Sequence, residues 1–148
     1  MNAPISELQA RQVGQWSGIW YRTWPDGHDY CFTYTFGEDG WRVYINNSPD
    51  YGRRSSSSID THRLEIENHP YICWNQPINT LSQAQAVSAL WADCTQRYIA
   101  TGRFELPPGR PAVQDFSVLA GYPSRPSPLS PRAQQTPWST IADQLFDF

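Results

Sequence analysis

At 148 residues the chain is long enough for one domain with a real hydrophobic core, and for two only if both are small. Its net charge of -3 gives no long-range attraction to nucleic acid or to an anionic membrane surface. Nowhere does an apolar run of about 18 residues occur, which excludes a membrane-spanning helix. Charged side chains are sparse at 17% and aromatic ones plentiful at 14%, so a compact aromatic core or an aromatic binding surface is expected.

From the N-terminus, a short helix is predicted between Met1 and Gln15, with Ser6 as N-cap and Leu8 as its apolar contact. Period-two alternation begins at Gly18: Ile19, Tyr21 and Thr23 share one side, Trp20, Arg22 and Trp24 the other. The turn Pro25-Asp26-Gly27 ends this strand. Alternation is cleaner in the next run, where Tyr30, Phe32, Tyr34 and Phe36 face one way and Cys31, Thr33 and Thr35 the other. Gly37-Glu38-Asp39-Gly40 then forms a tight loop, and Trp41, Val43 and Ile45 return beside it, bringing Phe36 near Trp41. Asn46 to Ser58, with Pro, Gly, Arg53-Arg54 and four consecutive Ser, reads as an exposed loop. A second hairpin follows. It has His62, Leu64 and Ile66 on one face, Asn68-His69-Pro70 at the turn, and Tyr71-Ile72-Cys73-Trp74 returning as a strand apolar enough for a central place in the sheet.

The segment from Thr80 to Gly102 is the one long helix with both ends marked. Thr80 and Gln83 form a capping box, and Gly102 supplies the left-handed residue after the last turn. Ala84, Val87, Leu90, Trp91, Cys94 and Tyr98 fall on one stripe, predicted buried. Gln85, Ala89, Asp93, Gln96 and Arg97 fall opposite and are predicted to be wet. Arg103 to Leu106 reads as a further short strand. These elements make an α+β fold, a small antiparallel sheet of about five strands packed against one long helix over 80–101. Residues 1–106 are the predicted domain. Eight of the thirteen prolines lie in 107–137, a Pro-rich arm of which 113–122 carries enough apolar residues to dock on the domain. Residues 138–148 form a terminal apolar peptide, with Trp138, Ile141, Leu145, Phe146 and Phe148, too short to be a stable helix alone.

Little in the chain points to chemistry. Cys31, Cys73 and Cys94 are an odd number without a close-spaced pair and read as buried thiols, not as a disulfide framework. Neither the Asp26-Gly27-His28 turn near Cys31 nor the set His62, His69, Cys73 and Cys94 has the spacing of a thiol active site or a zinc site. A metal-free nuclease would draw on the histidines with Tyr51 and Arg53 or Arg54, although solvated loop residues explain the same positions. Trp20, Arg22, Trp24, Arg42 and Tyr44 interleave cations with aromatics as a single-strand nucleic-acid platform does. The acidic net charge weighs against that partner. Arg53 and Arg54 stand as candidate surface contacts, and no residue is assigned to catalysis, to a metal or to a cofactor. All eleven basic side chains are Arg, so the chain offers no lysine amine for conjugation. With no basic and apolar leader at its start, a cytoplasmic location is expected.

The tail carries a resemblance of its own. Gln144-Leu145-Phe146-Asp147-Phe148 resembles the short peptides by which polymerases and repair factors dock on bacterial or phage sliding clamps, with Gln144, Leu145 and Phe148 matching in type and spacing. The resemblance covers five residues and implies a protein partner, a sliding clamp or another assembly that recruits C-terminal peptides. A non-enzymatic interaction module or adaptor is therefore expected, with Trp138, Ile141, Gln144, Leu145, Phe146 and Phe148 as its partner-binding residues. A small hydrolase or nuclease of the toxin or effector type, and an inhibitor or immunity protein, are the alternatives.

Overall fold

In the computed structural model the described residues are 6–111 together with the backbone of 116–118. Helix α1 (Glu7–Val13) is followed by strands β1 (Gln15–Arg22), β2 (Asp29–Gly37) and β3 (Gly40–Ile45), and by a one-turn helix α2 (Ser58–Thr61). Strands β4 (Arg63–Ile66) and β5 (His69–Ile72), the long helix α3 (Leu81–Thr101) and strand β6 (Phe116–Val118) complete the order. The sheet runs β4-β5-β3-β2-β1-β6, with every registered pair antiparallel. One face packs on α3, which gives the expected α+β layers.

Register follows the pattern of side chains. Phe32 pairs with Ile19 and Ile45, and Tyr34 with Trp16 and Val43, so the aromatic face of β2 meets the apolar faces of both neighbours. The Phe36 and Trp41 rings sit 5.2 Å apart across the predicted hairpin. Strand β1 starts three residues earlier than alternation indicates. An irregularity between Trp16 and Ile19 lets both side chains point into the core, where each is 1% exposed. Such a bulge breaks period two and hides the strand's beginning.

Several expectations are corrected. Leu8 is 67% exposed, and Ala10 is the residue of α1 that enters the core. The second hairpin turns at Glu67-Asn68, both at positive φ as a tight two-residue turn requires, so His69 and Pro70 belong to β5. Strand β5 lies between β4 and β3, next to the edge and not at the centre, and it ends at Ile72, so that Trp74 packs against the core from outside the sheet. Residues 103–106 form no strand; Phe104 and Leu106 pack on the core as irregular chain. The sixth strand lies instead within the Pro-rich arm, where the Phe116–Val118 backbone pairs with β1.

Helix α3 has the expected ends. Thr80 and Gln83 form the capping box, and Gly102 closes the helix at φ 84°. Its first turn contains no acidic residue, but Glu7 from α1 accepts from the Leu81 amide and from Trp41 Nε1, placing a carboxylate at the positive end of the helix. The predicted wet face is wrong. Gln85, Ala89, Asp93 and Gln96 are all buried, and Arg97 is half-buried. Two causes combine. Segments 54–61 and 103–111 pack along the helix, with Trp91 Nε1 donating to the Thr61 carbonyl, Tyr98 to that of Ser55 and Arg110 to Asp93. On the sheet side, three buried tyrosines need hydrogen-bond partners, and the helix provides them: Tyr34 meets Ser88 at 2.8 Å, Tyr21 donates to Asp93 at 2.7 Å, and Gln96 donates to Tyr30.

Candidate interaction surface

The face of the sheet turned away from α3 is set by the same alternation. Registered pairs line up Thr33, Tyr44, Tyr71 and Leu64 as one row across β2, β3, β5 and β4. Thr35 and Arg42 form the next row, and Trp20 and Arg22 lie on β1. Thr33, Tyr44, Tyr71, Leu64, Arg42 and Trp20 are half-exposed. The Tyr44 and Tyr71 rings meet edge to face at 6.0 Å, and the Arg42 guanidinium lies over Tyr71, 4.5 Å from its centroid. Arg42 Nη1 also reaches the Tyr44 hydroxyl at 3.5 Å, which with its neighbours holds the guanidinium above its ordinary pKa. No carboxylate of the described residues lies within ion-pair distance of Arg42. Arg22, by contrast, is paired with Asp29 at 2.8 Å, and that bond lowers the Asp29 carboxyl. At the β4 edge Ile66 extends the surface, 40% exposed.

At one end of this face the sheet splits. Strands β3 and β5 pair at a single position, Tyr44 with Tyr71, after which the chain diverges and returns at Ile78. There the Trp41 amide donates to the Ile78 carbonyl, and Gly40 comes so close that a β-carbon on it would stand 2.5 Å from the same oxygen. Only glycine fits there. A groove of about 590 Å³ opens between β3 and residues 73–78, walled by Phe36, Arg42, Tyr71, Cys73 and Trp74, with Glu38 and Asp39 at the hairpin tip. Burial pushes the Cys73 thiol up from its ordinary value.

Interleaved aromatics and cations thus come together only in part. Trp20, Arg22, Arg42 and Tyr44 share the open face, whereas Trp24 lies past the end of β1 in the turn. Of the candidate contacts, Arg53 is exposed, but Arg54 donates to the carbonyls of Ile99 and Ala100 and so caps the C-terminal turn of α3. Tyr51 is buried, contrary to its place in a loop predicted exposed, with Arg63 over its ring and its phenol pushed up to about 12 by burial.

The candidate chemical groups are dispersed. His28 lies 3.6 Å from Asp26 in a second cleft of about 490 Å³, His62 stacks on Phe104 with ring centres 4.2 Å apart, and His69 opens β5. Cys31 accepts from Asn46 at 3.3 Å under the loop after β3, and Cys94 is buried in α3. Among the described residues no group of three metal-ligating side chains gathers, and no helix is long and apolar enough to cross a membrane.

Sequence reasoning missed the most buried ionic cluster. Asp93, 0% exposed, accepts from Tyr21, from the Trp24 amide at 2.9 Å and from Arg110. Burial pushes the Asp93 carboxyl up, and Arg110 with the two hydrogen-bond donors pulls it back. This cluster fastens Arg110, beyond Leu106, to the helix. Trp138, Ile141, Gln144, Leu145, Phe146 and Phe148 lie outside the described residues. Compared with protein-family models, with curated proteins and with solved structures, the chain finds no match.

Proposed function

We propose that the chain is a non-enzymatic protein–protein interaction module, an adaptor that meets a partner through its open sheet face and holds it with the peptide 144–148. One observation carries this reading: the row Thr33, Tyr44, Tyr71 and Leu64, with Arg42 stacked on Tyr71, is left half-exposed on the face that α3 does not cover. Tyr, Trp and Arg are the residues that dominate binding energy at protein interfaces, where charged residues other than Arg are depleted. The open face has that composition. Its one pre-formed cation, Arg42, is rigid on an aromatic ring and loses little freedom on binding. The peptide supports the reading by its resemblance to clamp-docking motifs, and the Pro-rich arm supplies a tether.

The partner is a protein, a sliding clamp or another assembly that takes up such peptides. Capture from the native cell by the full chain is compared with capture by the Leu145→Ala/Phe148→Ala chain, by quantitative mass spectrometry. Loss of two apolar anchors is expected to weaken affinity for the specific partner by about a hundred-fold or more, and its recovery with it, since each buried side chain contributes about 1.5–3 kcal/mol. An unchanged set of captured proteins would sink the peptide's role.

A further inference from the structure

The loop between β3 and α2 carries Arg53 and Arg54 followed by four serines, and the open sheet face takes up none of them. We propose that Ser56 is a phosphorylation site, modified by a serine kinase that recognises Arg53 and Arg54 and draws its phosphoryl group from a nucleoside triphosphate. Because these residues lie outside the open face, the site stands whether or not that face binds a partner.

The sequence supplies the first observation. Arg53-Arg54-Ser55-Ser56 places guanidinium groups three and two residues before a hydroxyl. That spacing is the charge pattern by which basic-directed kinases choose a serine, since an extended substrate lays both arginines against kinase carboxylates while the hydroxyl reaches the γ-phosphate.

The structure singles out the same serine. Residues 53–58 are exposed, and 55–57 have no regular secondary structure, with Ser57 extended at φ -62° and ψ 154°. Ser55 Oγ accepts from the Ser57 amide at 3.2 Å, and Ser57 Oγ caps α2, donating to Asp60 at 2.9 Å and accepting from its amide. Ser58 is already helical. Ser56 has none of these ties: its hydroxyl bonds to no described residue. Arg53 likewise has no ion-pair partner among the described residues.

A third observation says what the phosphate would act on. Arg54 donates to the Ile99 and Ala100 carbonyls at 3.2 and 3.3 Å, and the Ser55 carbonyl accepts from Tyr98 at 2.7 Å, so Ser56 directly follows a segment held to the last turns of α3. In the transfer, Ser56 Oγ bonds to the γ-phosphorus, the bond from that phosphorus to the β-phosphate oxygen breaks, and the nucleoside diphosphate leaves. The hydroxyl proton passes to the kinase's catalytic carboxylate. The product adds a charge of about -1.5 to -2 beside the negative end of a 21-residue helix, where it repels the carbonyls and competes for the guanidinium that caps them. The C-terminal turn of α3 loosens in consequence.

Two measurements test the site. The full chain is recovered from its native cell with phosphatases inhibited, and peptides spanning Arg53 to Asp60 are sequenced by mass spectrometry. Separately, the purified full-length parent, Arg53→Ala and Ser56→Ala are incubated with ATP, Mg²⁺ and the catalytic subunit of a cyclic-AMP-dependent protein kinase. Phosphate is expected on Ser56 of the native chain. In the purified proteins, transfer to Ser56 is expected to be about ten-fold or more slower for Arg53→Ala, through loss of one charge-assisted contact, and to be lost in Ser56→Ala. The melting temperature of Arg53→Ala should match the parent's, which separates recognition from unfolding. Native chain without phosphate on Ser56, transfer confined to another serine, or equal rates for the parent and Arg53→Ala would each overturn the site. Amide exchange across 99–102 is expected to be faster in the phosphorylated protein, and unchanged exchange there overturns the effect on α3.

Discussion

The two faces of the sheet are written by one alternating pattern and end in opposite conditions. On β2, Tyr30, Phe32 and Tyr34 point to α3 and are at most 2% exposed, while Thr33 and Thr35 on the other face stay half-exposed. Both faces carry tyrosines. Those on the covered face surrender their phenols to Ser88, Asp93 and Gln96, whereas Tyr44 and Tyr71 on the open face meet one another and Arg42. What separates a core aromatic from a surface one here is therefore the partner given to its polar atom. Substitutions on the covered face should cost stability, and those on the open face should cost binding.

The largest effect is expected at Trp91, 0% exposed and edge-on to Tyr30 and Phe32. Trp91→Ala should cost about 3–5 kcal/mol in urea unfolding, because neighbours cannot fill so large a void. A loss below about 1 kcal/mol would mean the site relaxes freely. Next is Arg110→Ala, which leaves the Asp93 carboxylate buried without its cation and should cost about 2–4 kcal/mol. Adding Asp93→Asn to that variant should recover part of the loss, and a simple sum of the two single effects would show that the charges do not interact. Tyr34→Phe removes one buried hydrogen bond and should cost about 0.5–1.5 kcal/mol, at the low end because Ser88 keeps its bond to the Gln85 carbonyl. Smallest is Tyr44→Ser on the open face, expected within about 0.5–1 kcal/mol of the parent.

Much of this was legible from spacing. Strict alternation placed Tyr30 to Phe36 and Trp41 to Ile45, and the caps Thr80 and Gly102 fixed both ends of α3. Where the pattern failed, a tertiary cause had overridden a local one. The bulge at Ser17-Gly18 interrupts alternation, so Trp16 gave no sign of its burial. Polar residues on α3 read as wet because amphipathic reasoning assumes water on the far side. The signal that Asp93 and Gln96 are buried lay in the sheet, in tyrosines at core positions that needed donors and acceptors. Arg42 and Tyr44 were visible as an alternating pair, but the groove beside them was not, since it exists only because β5 leaves β3 after one pairing. Nothing local encodes that departure.

The central claim, that the open face binds while the covered face stabilises, is tested most directly by one comparison. Partner capture from the native cell is measured for the full chain carrying Trp20→Ser/Tyr44→Ser, using protein whose urea midpoint has first been compared with the parent. The account expects a midpoint close to the parent's and capture reduced about ten-fold or more, as loss of aromatic interface residues implies. Capture at the parent's level, or a midpoint lowered as far as that of Trp91→Ala, would contradict it.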